Sequence, residues 1–86
     1  MLEQEFYVIS FESTHHAIKT EKELKNKFNI ETIPTPREIS ASCGLSIKFS
    51  SEIFSEVIKA LGQDKEKVDI FKIKKTGKNK TVIKVL

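Results

Sequence analysis

Cys43 is the sole cysteine of the chain and Arg37 its sole arginine, and both fall in one polar stretch, PTPREISASCG, residues 34 to 44. A free thiol titrates at about 8.5, so it must be activated before it attacks, and a nearby guanidinium or helix N-terminus favours the thiolate. The planar fork of an arginine suits a carboxylate, phosphate or sulfate better than an ammonium does. In a chain whose other positive charges are all lysines, one arginine at this place points to geometry rather than charge alone. Ser40 and Ser42 can donate hydrogen bonds to the sulfur or to an anion on it, and Gly44 admits a bulky partner or an unusual backbone angle. Free cysteines are also often small buried hydrophobes. The small polar setting SASCG is unlike a core segment, however, and favours a reactive thiol. Arg37 could equally pair with Glu38 or another carboxylate of the loop. One thiol excludes an internal disulfide, a CxxC redox pair and a multi-thiolate metal site.

Two histidines form the second cluster. His15 and His16 follow Ser13 and Thr14, good helix N-caps, and so fall in the first turn of a helix. An imidazole there can serve as base or donor, and the exposed N–H groups of a helix start can hold an anion together with Thr14. Adjacent histidines do not face the same way on a helix, so no metal site is expected. His16 reads simply as exposed.

These residues must be positioned by a small frame. Eighty-six residues make one domain, 1–86, with 38% apolar and 31% charged side chains. Such a chain buries roughly 60–65% of its unfolded surface, enough for one sheet and one layer of helices. EFYVISF, residues 5 to 11, is continuously apolar and reads as a central strand. HHAIKTEKELKNKF places Ala17, Glu21, Leu24 and Phe28 on one helical stripe with Ile18 beside it. IETI, residues 30 to 33, meets Pro34 and Pro36 and reads as an edge strand. LSIKFS alternates, with Leu45, Ile47 and Phe49 facing in and Ser46, Lys48 and Ser50 facing out. Ser50 or Ser51 caps a helix carrying Ile53, Phe54, Val57, Ile58 and Leu61, which Gly62 ends. VDIFKIK and TVIKVL read as a hairpin. The fold expected is α+β: a ferredoxin-like βαββαβ antiparallel sheet with helices on one face and an extra C-terminal edge strand. In that arrangement strands one and two run the same way. The start of helix one, with Thr14 and His15, should then lie beside the loop that holds Arg37 and Cys43.

Charge narrows the partners. The net charge is +3, but residues 70 to 86 hold six lysines and no acid, which gives +6 there and −3 over the first sixty-nine residues. A basic strip can attract nucleic acid. With no aromatic after Phe71 to stack on bases, protection of a sheet edge is the preferred reading and nucleic acid is not an expected partner. No apolar run approaches the roughly 20 residues of a membrane span, and the start lacks the order of a secretory signal. No membrane partner is expected, and the cytoplasm is the expected compartment.

The segments FESTHHAIKTEKEL and IPTPREISASCGLSIKF resemble the small bacterial family known as selenium/sulfur carrier protein-like. Its pattern falls here on Phe11, Ser13, Thr14, His15 and Ala17, then on Pro34, Pro36, Arg37, Ile39, Ser40, Ser42, Cys43 and Gly44. The resemblance implies that Cys43 carries sulfur or selenium as a persulfide or selenopersulfide, with no other cofactor, between a donor and an acceptor protein. It implies a carrier rather than a turnover enzyme. Arg37 with nearby N–H groups would steady the charge, and His15 would assist proton movement. This account expects the Cys43 thiolate at the surface beside Arg37. Two competitors stand: a small anion-binding or regulatory module built on Arg37, and a thiol redox sensor in which Cys43 becomes a sulfenic acid. Docking through the sheet edges and a homodimer remain open.

Overall fold

The computed structural model describes residues 3–39, 41 and 43–85. Five strands form one sheet: β1 (Glu3–Ser10), β2 (Ile30–Pro34), β3 (Leu45–Ser50), β4 (Asp69–Thr76) and β5 (Asn79–Lys84). Helix α1 (Thr14–Lys25) joins β1 to β2, and α2 (Phe54–Leu61) stands between β3 and β4. The order across the sheet is β2-β3-β1-β4-β5, and every neighbouring pair is antiparallel. The class is the α+β expected, with β1 central, the proline-bearing β2 at one edge and the lysine-rich β5 at the other. Since β3 is antiparallel to both β1 and β2, those two strands run in the same direction. Their C-terminal ends therefore open at one end of the sheet.

One face of the sheet carries both helices. Ser13 starts α1 by accepting the His16 N–H on its side-chain oxygen at 3.1 Å, which satisfies a donor the helix cannot. Ala17, Thr20 and Leu24 are the buried residues of α1. The buried stripe thus runs through Thr20 rather than Glu21, which pairs with Lys25 at 3.7 Å, and Ile18 is left exposed. Ser50 caps a single 3-10 turn, Ser51–Ile53, that leads into α2 and its buried Val57 and Leu61. Gly62, at φ +56°, ends α2 in a conformation that a side chain would resist. Beneath the helices lie Ile9, Phe11, Ile47, Phe49, Val68 and Ile70 in one apolar cluster. The ring of Tyr7 lies 5.6 Å from that of Phe49 and 4.3 Å from that of Phe54, tying α2 to the strands.

Among the described residues, no helix covers the other face. Its apolar centre, Val8 and Ile73, is covered instead by Ile39 of the loop after β2, with Ile33, Ala41, Phe71 and Val82 around them. That loop begins at the β2 edge, and Glu38 within it bonds Lys80 of β5, on the opposite edge, at 3.2 Å. A connection of this length earns its place by acting as the sheet's second layer. It also corrects the expectation for β3: Ser46, on the supposed solvent face, is fully buried.

The basic strip of residues 70 to 86 finds its acids at earlier positions, Asp69 at the start of β4 among them. Lys72 pairs with Glu5 at 3.4 Å, Lys80 with Glu38, and Lys84 with Asp69 at 3.3 Å. The opposite charges of the two parts of the sequence meet in these pairs. Each is solvent-exposed and contributes little to stability by itself.

Candidate functional site

The end of the sheet where β1 and β2 finish is the end where the loop returns to enter β3. The Cys43 amide donates to the Phe11 carbonyl, just past β1, at 3.2 Å. This bond draws Cys43 onto the end of the central strand, under the start of α1. Its sulfur lies 3.6 Å from Thr14 Oγ1, the hydroxyl of the first residue of α1, and accepts the Leu45 amide proton at 3.3 Å. The expected meeting of helix one with the cysteine loop is therefore present, carried by Thr14.

Exposure is different from the expectation. Cys43 is only 3% exposed and belongs to the apolar cluster beneath the helices. Its sulfur is bonded by Thr14 and Leu45, whereas Arg37 is exposed on the turn that precedes Ile39. The surface position expected for the sulfur is thus overturned, and the groups bonded to it are Thr14 and Leu45 rather than Arg37. The physical reason is the anchoring of both sides of the cysteine: the Phe11 carbonyl holds its amide, and β3 begins two residues later.

The arrangement can still serve a sulfur in either protonation state. A thiol donates to Thr14 Oγ1, as the geometry shows, and a rotated Thr14 hydroxyl donates to a thiolate. The Leu45 N–H points at the sulfur in both cases. The N-terminus of α1, where Thr14 lies, adds a partial positive charge.

Thr35, which the sequence did not single out, holds this turn together. Its amide donates to the Gly44 carbonyl at 2.9 Å, and its hydroxyl donates to the Cys43 carbonyl at 3.0 Å. A hydroxyl has one proton, so the 2.7 Å contact with Ser46 Oγ has Ser46 as donor. That bond satisfies the buried Ser46. The signal available in the sequence was Thr35's place between two prolines, where it supplies the only backbone N–H of the three residues.

The remaining candidates are placed as follows. His15 is exposed. His16 is half-buried, packing edge-on against Phe11 with ring centres 5.3 Å apart, which corrects its reading as an exposed residue. Gly44 is exposed, lacks a positive φ, and a methyl group built on it meets open space, so neither backbone strain nor crowding demands glycine there. Ser40 and Ser42 lie outside the described residues. The Glu38 carboxyl is held below its ordinary value, first by a hydrogen bond with its own backbone and then by the Lys80 ammonium. Among the described residues no group of His, Cys, Asp and Glu has the makings of a metal site. A groove of about 580 Å³ bordered by Phe6, Lys48 and Ser50 lies at the opposite end of the strands from Cys43.

Comparison with known proteins adds one result. A family model described as "Putative Se/S carrier protein-like" matches residues 6–75. No curated protein and no solved structure matches the chain. Among the described residues, no helix is long and apolar enough to cross a membrane.

Proposed function

The chain belongs to that Se/S carrier protein-like family, and from this premise we propose that it is a single-thiol carrier holding sulfur or selenium on Cys43. The observation that carries the reading is the setting of the sole thiol. A backbone N–H and a rotatable hydroxyl at a helix start converge on its sulfur, the kind of support an anionic chalcogen requires.

For sulfur, the Cys43 thiolate attacks the outer sulfur of a donor persulfide. The new S–S bond forms as the donor's S–S bond breaks, and the donor leaves as a thiolate that takes up the proton lost by Cys43. One sulfur atom moves and no external oxidant is consumed. Discharge repeats the exchange with an acceptor thiolate. With no second thiol in the chain, the persulfide has no internal partner to form a disulfide with. The partners are accordingly a donor and an acceptor protein of chalcogen transfer.

The test is intact-protein mass spectrometry after exposure to a low-molecular-weight persulfide, removal of the excess, and addition of an acceptor thiol. The expected record is a gain of one sulfur and its loss to the acceptor, with no gain in Cys43→Ala. No gain in the native wild type, while the denatured wild type is loaded in parallel, contradicts the reading. The burial of Cys43 favours a second reading, in which the sulfur is only a packing group. Cys43→Ala would then leave every cellular role of the protein intact.

A further inference from the structure

A carrier whose cysteine is only 3% exposed must uncover the sulfur to meet a partner. The hydrogen bonds of the loop indicate how. Two sets of contacts hold the segment between β2 and β3. At the tip, Ile39 is buried against Val8 and Ile73, and Glu38 bonds Lys80. At the base, three bonds of Thr35 reach the Gly44 carbonyl, the Cys43 carbonyl and the Ser46 hydroxyl, so one residue ties the last residue of the loop, its neighbour and the second residue of β3. Cys43 itself adds its bonds to Phe11, Thr14 and Leu45.

The helix-bearing core does not depend on the tip, because Ile39 packs on the opposite face of the sheet and in a separate cluster. The β1–β3 and β1–β4 ladders lie outside the loop as well. Parting of the Thr35 bonds, together with Cys43's own bonds to Phe11 and Thr14, would then free Cys43 while the β1–β3 and β1–β4 ladders stay in place. Openings of this kind have a free energy below that of global unfolding.

We propose that Thr35 is a positioning residue for Cys43: a clasp whose side-chain bonds keep the thiol sheathed, and whose release by local opening presents the sulfur to donor and acceptor. The inference rests on the carrier reading for its purpose, but its test reads access to the thiol rather than sulfur transfer.

The experiment measures alkylation of Cys43 by iodoacetamide at rising, sub-denaturing urea, alongside global unfolding by circular dichroism. For the wild type, the alkylation rate should rise with a urea slope well below that of global unfolding. Thr35→Val keeps the shape and the backbone amide but removes the hydroxyl. It should speed alkylation about tenfold at low urea, where global unfolding does not contribute, the order expected from losing one or two net hydrogen bonds that the open form also lacks. Thr35→Ser restores the hydroxyl and should return the rate to within about twofold of wild type. The proposal is overturned if wild-type alkylation follows the full global slope from zero urea, or if Thr35→Val lowers global stability but leaves the low-urea alkylation rate unchanged. Should Thr35→Val not fold, the wild-type slope and the Thr35→Ser rate decide the matter. A chain that opens in this way but takes no sulfur would sustain the clasp and refute the carrier reading.

Discussion

The two faces of the sheet are built by different means. The helix-bearing face is periodic: two helices place Ala17, Leu24, Val57 and Leu61 on Ile9, Ile47, Phe49 and Ile70. Among the described residues the loop-bearing face has three buried hydrophobes, and the one that does not belong to a strand, Ile39, is held in an irregular segment. The first layer is assembled from many mutually supporting contacts, the second, among the described residues, from Ile39 and Ala41, the Glu38–Lys80 ion pair and the bonds of Thr35. Cys43 stands where the two meet. Its side chain belongs to the helix-side cluster, but the backbone that carries it belongs to the loop. A thiol in that position is protected by the strong layer and released by the weak one.

The contrast is tested most severely by truncating one anchor on each side. Ile47→Ala empties a site in the helix-side core and should lower unfolding free energy by about 3 kcal/mol in urea titrations. Ile39→Ala, in the thinner layer, should cost about 2 kcal/mol, and should speed Cys43 alkylation more than Ile47→Ala does at equal stability. Equal costs with equal alkylation would erase the distinction between the faces. Ser46→Ala takes a donor from the Thr35 hydroxyl inside the base and should cost about 1 kcal/mol. A neutral outcome would show that the two hydroxyls do not share a proton as assigned.

The smallest effect concerns the tip. The folded Glu38 carboxyl titrates below its ordinary 4.5, held there by its own backbone and then by Lys80, with Arg37 a lesser contributor. The stability it adds is therefore present above the ordinary value and is lost as pH falls through the lower, folded one. The melting difference between wild type and Glu38→Gln should shrink over that acidic range. A difference unchanged from neutral pH to the acid limb would remove the ion pair from the latch.

How much of this was legible follows from the same contrast. The strands and helices of the first layer announce themselves by spacing, and the prolines of β2 and the lysines of β5 mark those strands as edges. From that frame the meeting of Thr14 with the Cys43 loop could be read. The loop's course could not. Ile39 is one apolar residue in an irregular segment, and period-based reading has nothing to work on there. Ser46 and Lys48 look alike as outward residues of β3, and the Thr35 hydroxyl that meets the buried Ser46 comes from outside the strand. Cys43 was misjudged for a related reason. The polarity of SASCG describes the local sequence, whereas its burial is decided by Phe11 and the start of α1, some thirty residues earlier.

The most direct measurement is the yield of persulfide on Cys43, mapped by peptide mass spectrometry after a fixed short exposure to a small persulfide donor, in wild type, Thr35→Val and Thr35→Ser. The account predicts added sulfur on Cys43 in all three, accumulating fastest in Thr35→Val and at similar rates in the other two. A native Cys43 that stays unmodified in every variant, while a thiol peptide in the same tube is loaded, would contradict it.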